Sequence, residues 1–115
     1  MKMKSVAGIV CYVKDLDKTA DFYEKLGFLF SKREPDRLSV RLNWFWIDFH
    51  PQTTGIKPAD DSFTYISVED VDDFYKYLLE KGIKGETEPV DQPWGNREFV
   101  VRDPDGYQLA FFKKK

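Results

Sequence analysis

The chain has 115 residues, 42% hydrophobic and 17% aromatic, with 18 Lys and Arg against 20 Asp and Glu and a net charge of −2. That length suits one globular domain burying about two thirds of its unfolded surface, and the near balance of charge argues against nucleic acid or an anionic membrane as the main partner. One cysteine, Cys11, precludes an internal disulfide and suits a reducing cytoplasm, and no apolar run approaches the roughly 20 residues that span a bilayer.

Residues 6–13 read as a first strand. A helix is predicted over 16–26, capped by Asp15 or Asp17, because Leu16, Ala20, Tyr23 and Leu26 recur at i, i+4, i+7 and i+10. Gly27 supplies the left-handed residue that stops it. Residues 28–32 resume an extended run, and Glu34-Pro35-Asp36 turns the chain. Residues 37–42 alternate polar and apolar as a half-buried strand does, Asn43 is a turn residue, and 44–50 form a fourth strand. Residues 51–61 read as a linker.

A second pass follows. Residues 62–68 are a strand, and 71–81 a helix with Val71, Phe74, Tyr75, Leu78 and Leu79 on one face. Residues 84–88 are a further strand, and 89–96 a loop carrying Trp94 and Gly95. Strands over 97–102 and 107–112 are joined by Asp103-Pro104-Asp105-Gly106, which suits a type I turn. An EF-hand calcium loop would need glycine where Gln108 stands and glutamate where Lys114 stands. A shift of 55 positions carries Val13 to Val68, Asp15 to Asp70, Leu16 to Val71, Gly27 to Gly82 and Phe28 to Ile83. One βαβββ unit is therefore used twice, over 6–50 and 62–112, within a single domain. The expected fold is α+β: two tandem modules with curved mixed sheets facing across a cavity and helices on the outer faces.

The phrases Val13-Lys14-Asp15-Leu16, Phe22-Tyr23, Leu26-Gly27-Phe28, Trp94-Gly95-Asn96-Arg97-Glu98-Phe99 and Asp103-Pro104-Asp105-Gly106-Tyr107 resemble the vicinal oxygen chelate superfamily. That group holds glyoxalase I, extradiol dioxygenases and bleomycin-resistance proteins. Its enzymes hold a divalent metal with four side chains, one from the first and one from the last strand of each unit. The resemblance carries those positions to Gly8, Asp48, Phe63 and Ala110, which offer one ligand where four are needed. No metal, other cofactor or catalytic residue is therefore expected, and the one histidine, His50, flags no nucleophilic triad.

Strand parity places Gly8, Val10 and Tyr12, then Trp44, Trp46, Asp48 and His50, then Phe63, Tyr65 and Ser67, then Gln108, Ala110 and Phe112 on the cavity side. The alternate set, from Ile9, Cys11 and Val13 to Leu109 and Phe111, is almost wholly apolar, as a face packed on a helix should be. The expected ligand-binding residues are Tyr12, Trp44, Trp46, Asp48, His50, Phe63, Tyr65, Trp94, Gln108 and Phe112, with Asp48 available to a cationic group. The pattern is similar to the bleomycin-resistance branch, which implies a cytoplasmic homodimer that binds a small aromatic or cationic molecule without chemistry. Two other readings stand beside it. One is a metal-dependent lyase, isomerase or dioxygenase built on Asp48, His50 and Glu98, and the other is a non-catalytic module whose aromatic face is filled by another chain.

Overall fold

The computed structural model describes residues 1–53, 55, 58 and 60–115, and the chain divides into two compact units, 1–56 and 57–115. In the first, β1 (Gly8–Val13), α1 (Leu16–Leu26), β2 (Leu29–Glu34), β3 (Arg37–Leu42) and β4 (Phe45–Pro51) build a sheet of order β1-β4-β3-β2. In the second, β5 (Phe63–Ser67), α2 (Val71–Glu80), β6 (Val90–Asp91), β7 (Asn96–Arg102) and β8 (Gln108–Lys114) build β5-β8-β7-β6. The first and last strands of each unit run parallel and the other pairs antiparallel. This is the expected α+β pair of tandem βαβββ modules.

The repeat holds at the level of single hydrogen bonds. The Asp15 carboxylate accepts from the backbone N–H of Asp17 (2.9 Å) and Lys18 (3.2 Å), and Asp70 accepts from that of Asp73 (3.0 Å). Each therefore satisfies donors that the first helical turn leaves open. At the other end Gly27 (φ 106°) and Gly82 (φ 82°) take the left-handed conformation. Phe28 N–H then reaches Tyr23 O (3.1 Å) and Ile83 N–H reaches Leu78 O (2.8 Å), the same closing bond 55 residues apart.

Each helix covers one face of its own sheet. Val13, Leu38, Val40, Ile47 and Phe49 are buried in the first unit, where the Tyr23 ring lies 4.8 Å from Phe49. In the second, Phe99, Val101, Leu109 and Phe111 are buried, and Phe74 of α2 sits 4.8 Å from Phe111. The alternate residues of the strands point to the uncovered face.

Several expectations are corrected. On α1 the buried residue is Thr19 rather than Ala20, and its hydroxyl bonds back to Asp15 O (3.1 Å), which makes a β-branched polar side chain tolerable in the core. Leu79 lies at the edge of the α2 stripe and is exposed, and Ile9, near the start of β1, is also exposed. Residues 84–88 form no strand. The Thr87 hydroxyl accepts from Val100 N–H (3.0 Å), taking the place of a backbone carbonyl, and pairing resumes only at Val90–Asp91. Trp44 belongs to the β3–β4 turn rather than to β4, because Asn43 (φ 56°) turns the chain before the ladder restarts at Phe45. A register shift between Phe30 and Lys32 kinks β2. The proposed linker over 51–61 falls partly outside the described residues. No helix among the described residues is long and apolar enough to cross a membrane.

Candidate functional site

The uncovered face of the first unit is set by its register. Gly8, Val10 and Tyr12 lie opposite Trp46, Asp48 and His50 on β4, and Ser39 and Arg41 of β3 lie opposite Asp48 and Trp46. Gly8 is there for space. A Cβ on it would overlap the Trp46 indole and the Trp46 carbonyl, so the position to which the resemblance carries a metal ligand is roofed by a ring. Tyr12 and the half-buried His50 bring their rings to 5.8 Å. Trp44, in its turn, is 79% exposed.

Asp48 is buried, and its charge is already answered. Oδ2 accepts from Arg37 Nε (3.1 Å) and Nη2 (2.5 Å), and Oδ1 accepts from the Ser39 hydroxyl. Burial by itself would push this carboxyl up. The hydrogen bonds from Ser39 and Arg37, with the positive charge of Arg37 and the neighbouring His50, outweigh it and hold the group below its ordinary 3.8. The expectation of a carboxylate free to meet a cationic ligand is therefore corrected for Asp48. A lowered folded-state pKa means that this stabilisation is complete above the unfolded value and is lost as pH falls through the folded one. Asp48→Asn should flatten the loss of stability between about pH 5 and pH 2 relative to wild type, as read by denaturant unfolding at each pH; parallel curves would contradict the assignment.

The second unit's uncovered face carries Phe63, Tyr65 and Ser67 opposite Gln108, Ala110 and Phe112, with Glu98, Val100 and Arg102 of β7 beyond them. The ring centroids of Phe63 and Tyr65 are 6.5 Å apart and those of Tyr65 and Phe112 are 5.4 Å apart, both near edge-to-face. Glu98 is 4% exposed. Its Oε2 accepts from the Tyr65 hydroxyl (2.9 Å) and its Oε1 from Trp94 Nε1 (3.2 Å). Burial, the hydrogen bond to Glu98 and the charge of Glu98 together push the Tyr65 phenol up. The Gln108 amide is occupied in tying β8 to the chain before β5, donating to Asp60 O (2.6 Å) and Ser62 O (3.3 Å).

The predicted residues thus fall into local groups: Tyr12 with His50, Trp46 over Gly8, Asp48 held by Arg37 and Ser39, Tyr65, Phe112 and Trp94 around Glu98, and Phe63 beside Tyr65. Sequence reasoning passed over Arg37 and Ser39 as partners of Asp48. The alternation Arg37-Leu38-Ser39 was the available signal, since it puts both polar groups on the face that Asp48 shares. The side chains do not suit a divalent metal. Phe63 and Ala110 carry no donor, Gly8 is roofed, and among the described residues no three of His, Cys, Asp and Glu gather as a metal site would require.

Comparison with known proteins places this geometry. The family model described as Glyoxalase/Bleomycin resistance protein/Dioxygenase superfamily matches residues 5–111. A bleomycin resistance protein from Klebsiella pneumoniae is 28% identical, covering 89% of this chain and 86% of its own. One from Geobacillus stearothermophilus is 29% identical, covering 89% and 91%. The crystal structure of a bleomycin-binding protein complexed with bleomycin is 26% identical with a TM-score of 0.75, covering 97% of this chain and all of the other.

Proposed function

Since the chain belongs to the glyoxalase/bleomycin resistance protein/dioxygenase superfamily, we propose that it is a cytoplasmic, homodimeric, metal-independent protein that binds and sequesters a small aromatic or cationic compound such as an antibiotic. The observation that carries this reading is the exposure of aromatic side chains on the uncovered faces. Tyr12 is 57% exposed, Phe63 and Tyr65 46%, and Trp46 37%. Rings left in water beside buried carboxylates form a surface suited to a flat guest, whereas a catalytic metal would need clustered donors in their place. Stacking and cation–π contacts contribute roughly 0.5–2 kcal/mol each, so three or four support micromolar binding.

The bleomycin complex of the 26%-identical structure supports a ligand of similar character. Exposed Val10 alongside those rings supports a second copy that shares in covering the apolar surface. Tyr12 and Trp46 on the first unit, and Phe63, Tyr65, Trp94 and Phe112 on the second, each supply contact area on their own face, and no bond is made or broken.

Titration with bleomycin and with a panel of planar cations should change tryptophan fluorescence saturably, through Trp46 and Trp94, and with the same affinity when EDTA is present. A flat response across the panel from folded protein would sink the proposal. So would near-stoichiometric zinc, nickel, manganese or iron in the purified protein.

A further inference from the structure

The two buried carboxylates on the uncovered faces differ in one respect. Asp48 is neutralised by Arg37, whereas both partners of Glu98, the Tyr65 hydroxyl and the Trp94 indole N–H, are uncharged. Among the described residues no Lys, Arg or His lies within ion-pair distance of Glu98. Its neighbour Arg97 points to the other face, where it is held by Asp72 (2.9 Å) and Asp91 (3.0 Å). The repeat itself makes the contrast sharp. Ser39 lies opposite Asp48 and Val100 opposite Ala110, so two residues earlier Arg37 and Glu98 occupy equivalent places. One copy has a base there, spent on its own acid; the other has an acid and no base.

A carboxylate offers about four acceptor sites, and Glu98 uses one on each oxygen. A buried negative charge supported only by neutral donors attracts a cation strongly, because little water screens it. The groups around it are rings. Tyr65 and Trp94 hold the carboxylate through their polar atoms while both side chains remain exposed, and Phe112 continues the row beside Tyr65. Rings face cations favourably as well.

Resting on the small-molecule-binding reading above, we propose that Glu98, framed by Tyr65, Trp94 and Phe112, is a recognition site for organic cations and selects ligands carrying a protonated amine or guanidinium on an aromatic or apolar body. Neutral analogues of the same shape bind through the rings alone.

The test compares 9-aminoacridine with acridine on the full chain, by fluorescence titration or calorimetry, at a pH where the first is protonated and the second is not. Wild type should prefer the cation by at least about tenfold. Glu98→Gln can accept from Trp94 Nε1 and donate to the Tyr65 oxygen, and should bring the ratio of the two affinities close to one; Glu98→Asp should retain the preference. Equal binding of the two probes by wild type overturns the cation site while leaving the binding reading intact, and that measurement needs no variant. A preference that survives in a folded Glu98→Gln protein also overturns it. Failure of wild type to bind either probe removes the binding reading and this one together.

Discussion

Truncating Phe111 to alanine should lower stability by about 3–5 kcal/mol, seen as a drop in the denaturant midpoint at unchanged slope. Phe111 is 1% exposed at the centre of the second unit. Its ring is 4.8 Å from Phe74 of α2 and 5.4 Å from Phe99 of β7, so one substitution opens a void that both helix and sheet line. Set against the 5–15 kcal/mol typical of whole domains, that loss approaches global unfolding. Leu79→Ala is the matched control: although Leu79 is also apolar and on α2, it is exposed, and its loss should stay within about 0.5 kcal/mol. Equal effects would mean that the ring cluster does not anchor the unit.

Gly8→Ala should cost about 1–3 kcal/mol and shift the emission of Trp46, since the added methyl must displace either the indole or the strand behind it. A double-mutant cycle with Trp46→Ala separates these. If the indole is the main obstacle, the second substitution relieves part of the first, giving a coupling of at least about 0.5 kcal/mol. Strict additivity would assign the strain to the carbonyl instead. Gly8→His should bind zinc no better than wild type, because an imidazole there has no room where the ring lies.

Much of the architecture was legible because it rests on local rules that the chain obeys twice. Asp15 and Asp70 as caps, Gly27 and Gly82 as left-handed stops, and the alternation in β1, β4, β5 and β8 each follow from a few neighbouring residues. Helix spacing was less reliable at the margins of a stripe. Thr19 displaces Ala20 because a hydroxyl can satisfy itself on the preceding turn, and Leu79, at the margin of its stripe, stays in water.

Residues 84–88 were misread because a side-chain hydroxyl replaces backbone in the ladder, and alternation of residue types does not announce that exchange. For the site, parity put the aromatic residues on one face of each sheet, with Trp44 the exception that its turn explains. Electrostatic roles were harder to read. That Asp48 belongs to Arg37 depends on the register between β3 and β4, which sets Asp48 opposite Ser39 and so within reach of Arg37 two residues earlier, and that Glu98 meets Trp94 depends on how a loop folds back.

The unequal rung occupied by Arg37 in one copy and Glu98 in the other implies that the charge a unit carries there can change without touching its caps or stops. A chimera joining two first units would keep the caps and stops, yet each half would answer its own buried acid with Arg37 and present no unpaired buried carboxylate to a visitor. The two sisters thus share their caps and stops while one rung carries opposite charge in each.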